Sequence, residues 1–452
     1  MNEKAFKEID EEFDTYLEQL FTLLRQPSIS TTGDGIEECA FLLTGLMEDY
    51  DFDVEMIETN GNPIIFAEKI VDTSKPTVLF YGHYDVQPPG DEELWDSPPF
   101  EPTIRDGRIY ARGSGDNKGQ VLTHVFAIHA LSKANGEIPI NVRFLIEGEE
   151  ENGSGGLKEY LGRETNALDD CDLVYVSDGP MHQSGSPTLS YGNRGVLSIE
   201  LTLSEANMDL HSGNFGGPVP NAAWSLISVL NTMRDLDGEI LINGFHDDIT
   251  ITESESEMVD RIPFDESEFK TNYNLHSLRV PSDCFYRELL LRPTMTINGF
   301  ESGYTEEGKK TIIPHKATVK LDMRLVPDQD PEKIFALVSD HIRHLDANVT
   351  IEKMGTFPPM RTPVDTPIAE PIKEAMEEVW GESVIEMPRF GGSIPAAYFR
   401  EVSEVPVLVV PYANPDQNNH SPNENLQIDC FANGIRTTSC ALERIAKEQS
   451  GS

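Results

Sequence analysis

Five residues of this 452-residue chain have the types and positions to hold metal ions: His83, Asp116, Glu151, Asp178 and His420. Most of them follow short apolar runs. PTVLFYG (76–82) runs into His83 and Asp85, and INVRFLIEG (140–148) runs into Glu149, Glu150 and Glu151. LVYVS (173–177) runs into Asp178, and VPVLVVPYA (405–413) leads to His420 a few residues later. Imidazole with carboxylate, and no thiolate, suits zinc, manganese or cobalt, whereas an all-oxygen set would suit magnesium or calcium. Five donors exceed the three that one catalytic zinc takes besides its water. They suit two divalent ions about 3.5–4 Å apart that share a bridging carboxylate and a water. Such a pair polarises a carbonyl and generates hydroxide at neutral pH. The Glu150–Glu151 doublet then offers a second acid to act as base.

Taken singly, each feature has a plainer reading. A His-x-Asp after a strand is usually a packed histidine with a hydrogen-bond partner. The acidic run from Glu147 to Glu151 would pass as a solvated turn. Gly113, Gly115 and Gly119 around Asp116 look like a loose phosphate loop, but neither P-loop nor dinucleotide spacing is met. The five donors together outweigh these readings.

Continuous Val/Ile/Leu runs separated by helices imply a parallel sheet covered on both faces, with functional groups gathered beyond the carboxyl ends of its strands. Leu17, Leu20, Phe21 and Leu24 at helical spacing predict a first helix ending before Pro27. The middle of the chain differs. Leu197 to Leu203 and Ala317 to Met323 alternate apolar with polar residues, as strands with one wet face do. Helical patterns over 221–234 and 331–345 lie near them, and Val349 and Ile351 suggest a further strand. The fold expected is α/β: a catalytic domain formed by 1–188 and 362–452, with a smaller α+β domain, 189–361, inserted between its two parts.

At about 150 residues per domain the length admits two or three domains. With 35 basic and 78 acidic residues, a net charge of −43 and a pI near 4.4, the chain is a poor partner for nucleic acid or anionic membranes. No run approaches the roughly 18 apolar residues of a membrane span. The N-terminus lacks the basic and apolar regions of a secretory signal. The five cysteines lie far apart and form no CxxC pair, so a disulfide framework or a thiolate zinc site is not expected. A cytoplasmic location is the expectation.

The motifs taken together resemble the di-zinc metallopeptidases that include carnosinase, the cytosolic nonspecific dipeptidase, aminoacylase, succinyl-diaminopimelate desuccinylase and carboxypeptidase G. YGHYDVQPPGDEELWDSPPFEPTIRDGRIYARGSGDNKGQ (81–120) carries the first two motifs. EGEEENGS (147–154), SDGP (177–180), HSGNFGG (211–217), RLVP (324–327), GGSIP (391–395) and HSPNE (420–424) carry the rest, in order across most of the chain. The resemblance implies that Asp116 bridges two ions, His83 and Asp178 holding one and Glu151 and His420 the other. It implies that Asp85 orients His83, that Glu150 is the general base, and that the Asp116–Asn117 peptide is cis. The family often has a non-acidic residue where Glu149 stands; counting back from Gly153–Ser154 leaves Glu149 outside the ligand set.

For the inserted, ferredoxin-like domain the resemblance implies a lid and dimerisation role. His211 would reach across a homodimer to steady the partner site's oxyanion, its plainer alternative being a histidine capping a loop. Arg324 would grip a substrate carboxylate, with Gly392 and Ser393 beside it. DVQP, WDSPPF and GGSIP are closest to the dipeptidase branch, so the expected reaction is amide hydrolysis in dipeptides or short peptides. The same residues would serve an N-acyl-amino-acid deacylase or desuccinylase. A non-catalytic binding protein on the same fold is the remote third reading.

Overall fold

The computed structural model describes residues 3–450, and the chain divides into two compact units. The first comprises the residues through Gly192, Arg361–Pro388, and those from Pro395 onward. Its eight-stranded sheet runs in the order Asp53–Ile57, Ile64–Lys69, Asn141–Glu147, Thr77–His83, Leu173–Val176, Val407–Val409, Thr188–Ser190, Ile385–Met387. The four central strands, from Asn141–Glu147 to Val407–Val409, are mutually parallel, as their largely apolar runs predict. All seven residues of Thr77–His83 are buried. Towards one edge, Ile64–Lys69 and Asp53–Ile57 pair antiparallel. On the other side Thr188–Ser190 meets Val407–Val409 antiparallel. The sheet is therefore mixed, and the parallel pattern is confined to its centre and its last pair.

The helix Lys118–Asn135 is buried over most of its length and is packed by the helices Glu3–Arg25 and Ile428–Ser450. Glu3–Arg25 ends where Pro27 predicts, and its buried stripe includes Ile9, Tyr16, Leu20, Leu23 and Leu24. His124, on the buried helix, stacks on Phe80 with ring centroids 4.3 Å apart and bonds Thr438 Oγ1 at 2.9 Å. Burial pushes its pKa down to about 3, so it is a neutral core histidine.

The second unit consists of Asn193–Met360 and Arg389–Ile394. Its antiparallel sheet runs Thr294–Ser302, Lys316–Leu325, Gly195–Ser204, Thr350–Phe357. With helices Ala222–Met233 and Pro331–Leu345 this is the split βαβ order of a ferredoxin-like domain. The period-two residues Leu197, Ile199, Leu201 and Leu203 share one core with Val319, Leu321 and Met323 and with Leu226, Val229, Ile334, Val338 and Ile342 of the helices. The strand Thr294–Ser302 escaped the alternation rule because its register slips between Ile297 and Gly299. Residues 389–394, assigned from sequence to the final catalytic segment, cluster with this second unit, and they carry Gly392 and Ser393.

Candidate metal centre and catalytic acid

Parallel pairing brings the donors to one edge of the first unit's sheet. His83 is the last residue of its strand, Asp178 lies just beyond Leu173–Val176, and Glu150–Asn152 form a single tight turn after Asn141–Glu147. Asp116 stands before helix Lys118–Asn135, across an Asp116–Asn117 peptide that is cis, as the resemblance implies. His420 sits in the loop before Asn425–Gln427, with a left-handed backbone (φ 59°) that non-glycine residues seldom adopt.

Two triads form, His83–Asp116–Asp178 and Asp116–Glu151–His420, each with its ligand atoms within 4.8 Å of one another. Asp116 belongs to both: its Oδ1 lies 3.2 Å from His83 Nε2 and its Oδ2 lies 3.1 Å from His420 Nε2. His83 Nε2 is 3.9 Å from Asp178 Oδ2, and His420 Nε2 is 3.2 Å from Glu151 Oε2. His83 Nε2 is buried and without a hydrogen-bond partner, which is the mark of an atom aimed at something other than a proton acceptor. Three carboxylates and two imidazoles converging in this way fit two borderline divalent cations. The His420 side chain is 52 % exposed, so the cluster is open on that side.

The electrostatics match a cation site. Burial works against charge on His83, but Asp116 and Asp85 outweigh it and hold its pKa well above the ordinary value. Hydrogen bonds to Asp116 and Glu151 raise His420 to about 11. Asp178 is pushed up to about 6 by burial and by the neighbouring Asp116 charge. Burial, followed by Asp178 and Glu151, lifts Glu150 well above the usual carboxylate range even against His83.

The three consecutive glutamates divide by geometry. Glu149 Oε2 accepts the Gly156 N–H at 3.0 Å and so turns to the start of the next helix. Glu151 faces His420. Asp85 holds the turn that carries Glu150 and Glu151, accepting their N–H groups at 3.2 and 3.0 Å. Its backbone oxygen receives His83 Nδ1 at 3.0 Å, and its carboxylate stands 3.4 Å from the same nitrogen. Several supporting groups escaped the sequence reading. Asn117 accepts the His83 N–H at 3.3 Å and donates to the Ser177 carbonyl at 2.7 Å. Gln87 donates to Glu151 Oε2 at 3.0 Å, and Asn419 to Asp116 Oδ2 at 3.3 Å. Amides adjoining ligand motifs were the only signal available for them.

In the second unit, His211 is exposed and its Nδ1 accepts the Gly213 N–H at 3.0 Å. It therefore caps the turn Ser212–Phe215, and an accepting Nδ1 leaves the ring proton on Nε2. Arg324, on the wet face of Lys316–Leu325, donates from Nη1 to Ser393 Oγ at 2.9 Å and from Nε to Asp322 at 3.2 Å. Gly391, next to Gly392, accepts from Arg194 Nε at 2.9 Å.

The model of peptidase family M20/M25/M40 matches residues 79–444. The beta-Ala-His dipeptidase of Mus musculus is 30% identical over 402 residues, covering 86% of this chain and 81% of the relative. The Cys-Gly metallodipeptidase dug1 of Schizosaccharomyces pombe is 30% identical over 460 residues, covering 96% of each chain. A crystal structure of the M20 family metallo-carboxypeptidase Sso-CP2 from Sulfolobus solfataricus superposes with a TM-score of 0.90 at 36% identity, covering 96% of this chain and 99% of that one.

Proposed function

Because the chain belongs to peptidase family M20/M25/M40, we propose that this metallopeptidase is a dipeptidase using two divalent ions and Glu150 as its general base. The observation that carries the reading is the pair of triads sharing Asp116, with Glu150 beside them. His83 and Asp178 would hold one ion, Glu151 and His420 the other, and Asp116 both. Zinc is the first choice for this donor set, with manganese or cobalt able to replace it. Ions held there supply positive charge that polarises the scissile carbonyl and lets water attack at neutral pH.

The chain's own groups do the rest. Glu150 takes a proton as the water oxygen bonds to the carbonyl carbon, and it gives that proton to the amide nitrogen as the C–N bond breaks. His211 acts from the second chain of a homodimer, its Nε2–H donating to the developing oxyanion. Arg324, set by Ser393 and Asp322, takes the substrate's C-terminal carboxylate, and Gly392 and Ser393 line the same loop. A cytoplasmic location belongs to this reading; among the described residues the five cysteines are free thiols and no helix is long and apolar enough to cross a membrane.

A second reading, removal of the C-terminal residue from longer peptides, is favoured by the likeness to the Sulfolobus solfataricus carboxypeptidase. The test is a three-way assay on zinc-reconstituted enzyme. A dipeptide, a longer peptide and an N-acetyl amino acid would share one C-terminal residue. Fastest cleavage of the dipeptide is expected. Faster cleavage of the longer peptide moves the enzyme to the carboxypeptidases, and faster cleavage of the acetyl compound moves it to the deacylases.

Arg324→Lys should raise KM on the dipeptide by about 10-fold or more with a smaller change in kcat, because a lysine cannot form the two-pronged contact. An unchanged KM would remove Arg324 from the carboxylate site.

A further inference from the structure

We infer that Glu424 is a positioning residue for the metal centre, setting Asp116 through the backbone and locking it to the loop that carries His420. The inference rests on the metal-centre reading above. Glu424 is fully buried, and its carboxylate is ringed by donors. Oε1 accepts the N–H groups of Gly113, Gly115 and Asp116 at 3.1, 3.1 and 3.0 Å, and Oε2 accepts Arg112 Nη1 at 2.7 Å. Converging N–H groups of a glycine-rich turn form a cradle for an anion. The turn whose spacing excluded a phosphate is such a cradle, and the anion in it is the chain's own carboxylate.

Three ligand-bearing segments meet at this ion pair. The cradle ends on the N–H of Asp116, the one carboxylate that faces both His83 and His420. Glu424 lies four residues past His420, and the loop between them is bent through left-handed His420 and Asn423. Arg112, itself buried, also donates to the Pro88 carbonyl at 3.2 Å and lies 5.3 Å from the Trp95 ring, on the segment that follows His83 and Asp85. The glycines are needed for the fit. A Cβ on Gly115 would come within 2.1 Å of Gln417 Oε1, and Gly113 has a φ of +85°. Displacing the Glu424 carboxylate would therefore move the backbone of Asp116 relative to His420.

The test measures zinc binding by full-length protein stripped with a chelator, using competition with a chromogenic chelator and the visible spectrum of the cobalt form. Glu424→Asp keeps the charge opposite Arg112 but shortens the reach, and Glu424→Gln removes the charge. Both are expected to lower zinc affinity by about 10–100-fold and to alter the cobalt spectrum, with the circular dichroism of the folded chain retained. Leu131→Ala, a cavity in the core of helix Lys118–Asn135, should lower the melting temperature and leave zinc affinity unchanged. Wild-type zinc affinity in either folded Glu424 variant overturns the inference, as does failure of both to fold, which would make Glu424 purely architectural. His83→Ala separates the two layers: if it too binds zinc as wild type does, the metal-centre reading itself has failed.

Discussion

Glu150→Gln is expected to lower kcat by about 100- to 10,000-fold, the range lost when a positioned acid–base group is removed, while both ions stay bound. Glutamine keeps the shape of the side chain and cannot take a proton from water. The geometry makes this assignment specific among three adjacent glutamates. Glu149 is spent on the Gly156 N–H, and Glu151 faces His420 Nε2 at 3.2 Å. Under the proposal Glu150, held beside both triads by the Asp85 bond to its N–H, is the one left to carry a proton. Glu149→Gln should accordingly retain turnover, and Glu151→Gln should lose metal. Steady-state kinetics paired with metal analysis reads all three. Loss of both ions from Glu150→Gln, with turnover retained by Glu151→Gln, would shift the register by one residue.

His211→Ala is expected to lower kcat by about 100- to 1,000-fold with a smaller change in KM, as loss of an oxyanion donor does. Because Gly213 N–H fixes Nδ1 as the acceptor, the proton sits on Nε2, and an exposed ring with that tautomer can donate outward. If the donor serves the second chain's site, mixing His211→Ala with Glu150→Gln chains restores one complete site in each heterodimer. At equal amounts and full subunit exchange, about a quarter of wild-type activity should return, since half the dimers are mixed and each has one good site of two. No recovery, with exchange verified by differently tagged chains, would place His211 in its own chain's site. Wild-type kcat in His211→Ala by itself would leave only the capped-turn role.

How much of this was legible in the sequence depends on the range of each interaction. The central strands were readable because buried parallel strands are largely apolar, and most of the candidate donors were readable because they stand at or soon after the end of such a run. The alternation of Leu197 to Leu203 and of Ala317 to Met323 likewise announced a one-sided sheet, and the helices 222–233 and 331–345 appear where their periodicity places them. The antiparallel flanking strands were not readable, since strand direction is decided by connections and neighbours that leave no mark on a five-residue run such as Asp53–Ile57. The slip at Ile297–Gly299 hid a whole strand, because alternation fails at a bulge.

Within the candidate site, the candidate residues came from the sequence and their grouping came from the fold. His83, Asp116 and His420 lie far apart along the chain, and only the folded sheet and its loops bring Asp116 Oδ1 to one imidazole and Oδ2 to the other. The glycine turn shows the division most clearly. Its composition allowed an anion cradle, yet its spacing said nothing of which anion. Glu424, beside Asn425 in the strand that pairs with Arg108–Tyr110, is delivered to the cradle by that pairing. Local rules fix what a segment is able to do, because propensity and periodicity act over a few residues. A buried carboxylate finds its donors only when distant segments close over it and water no longer competes for them.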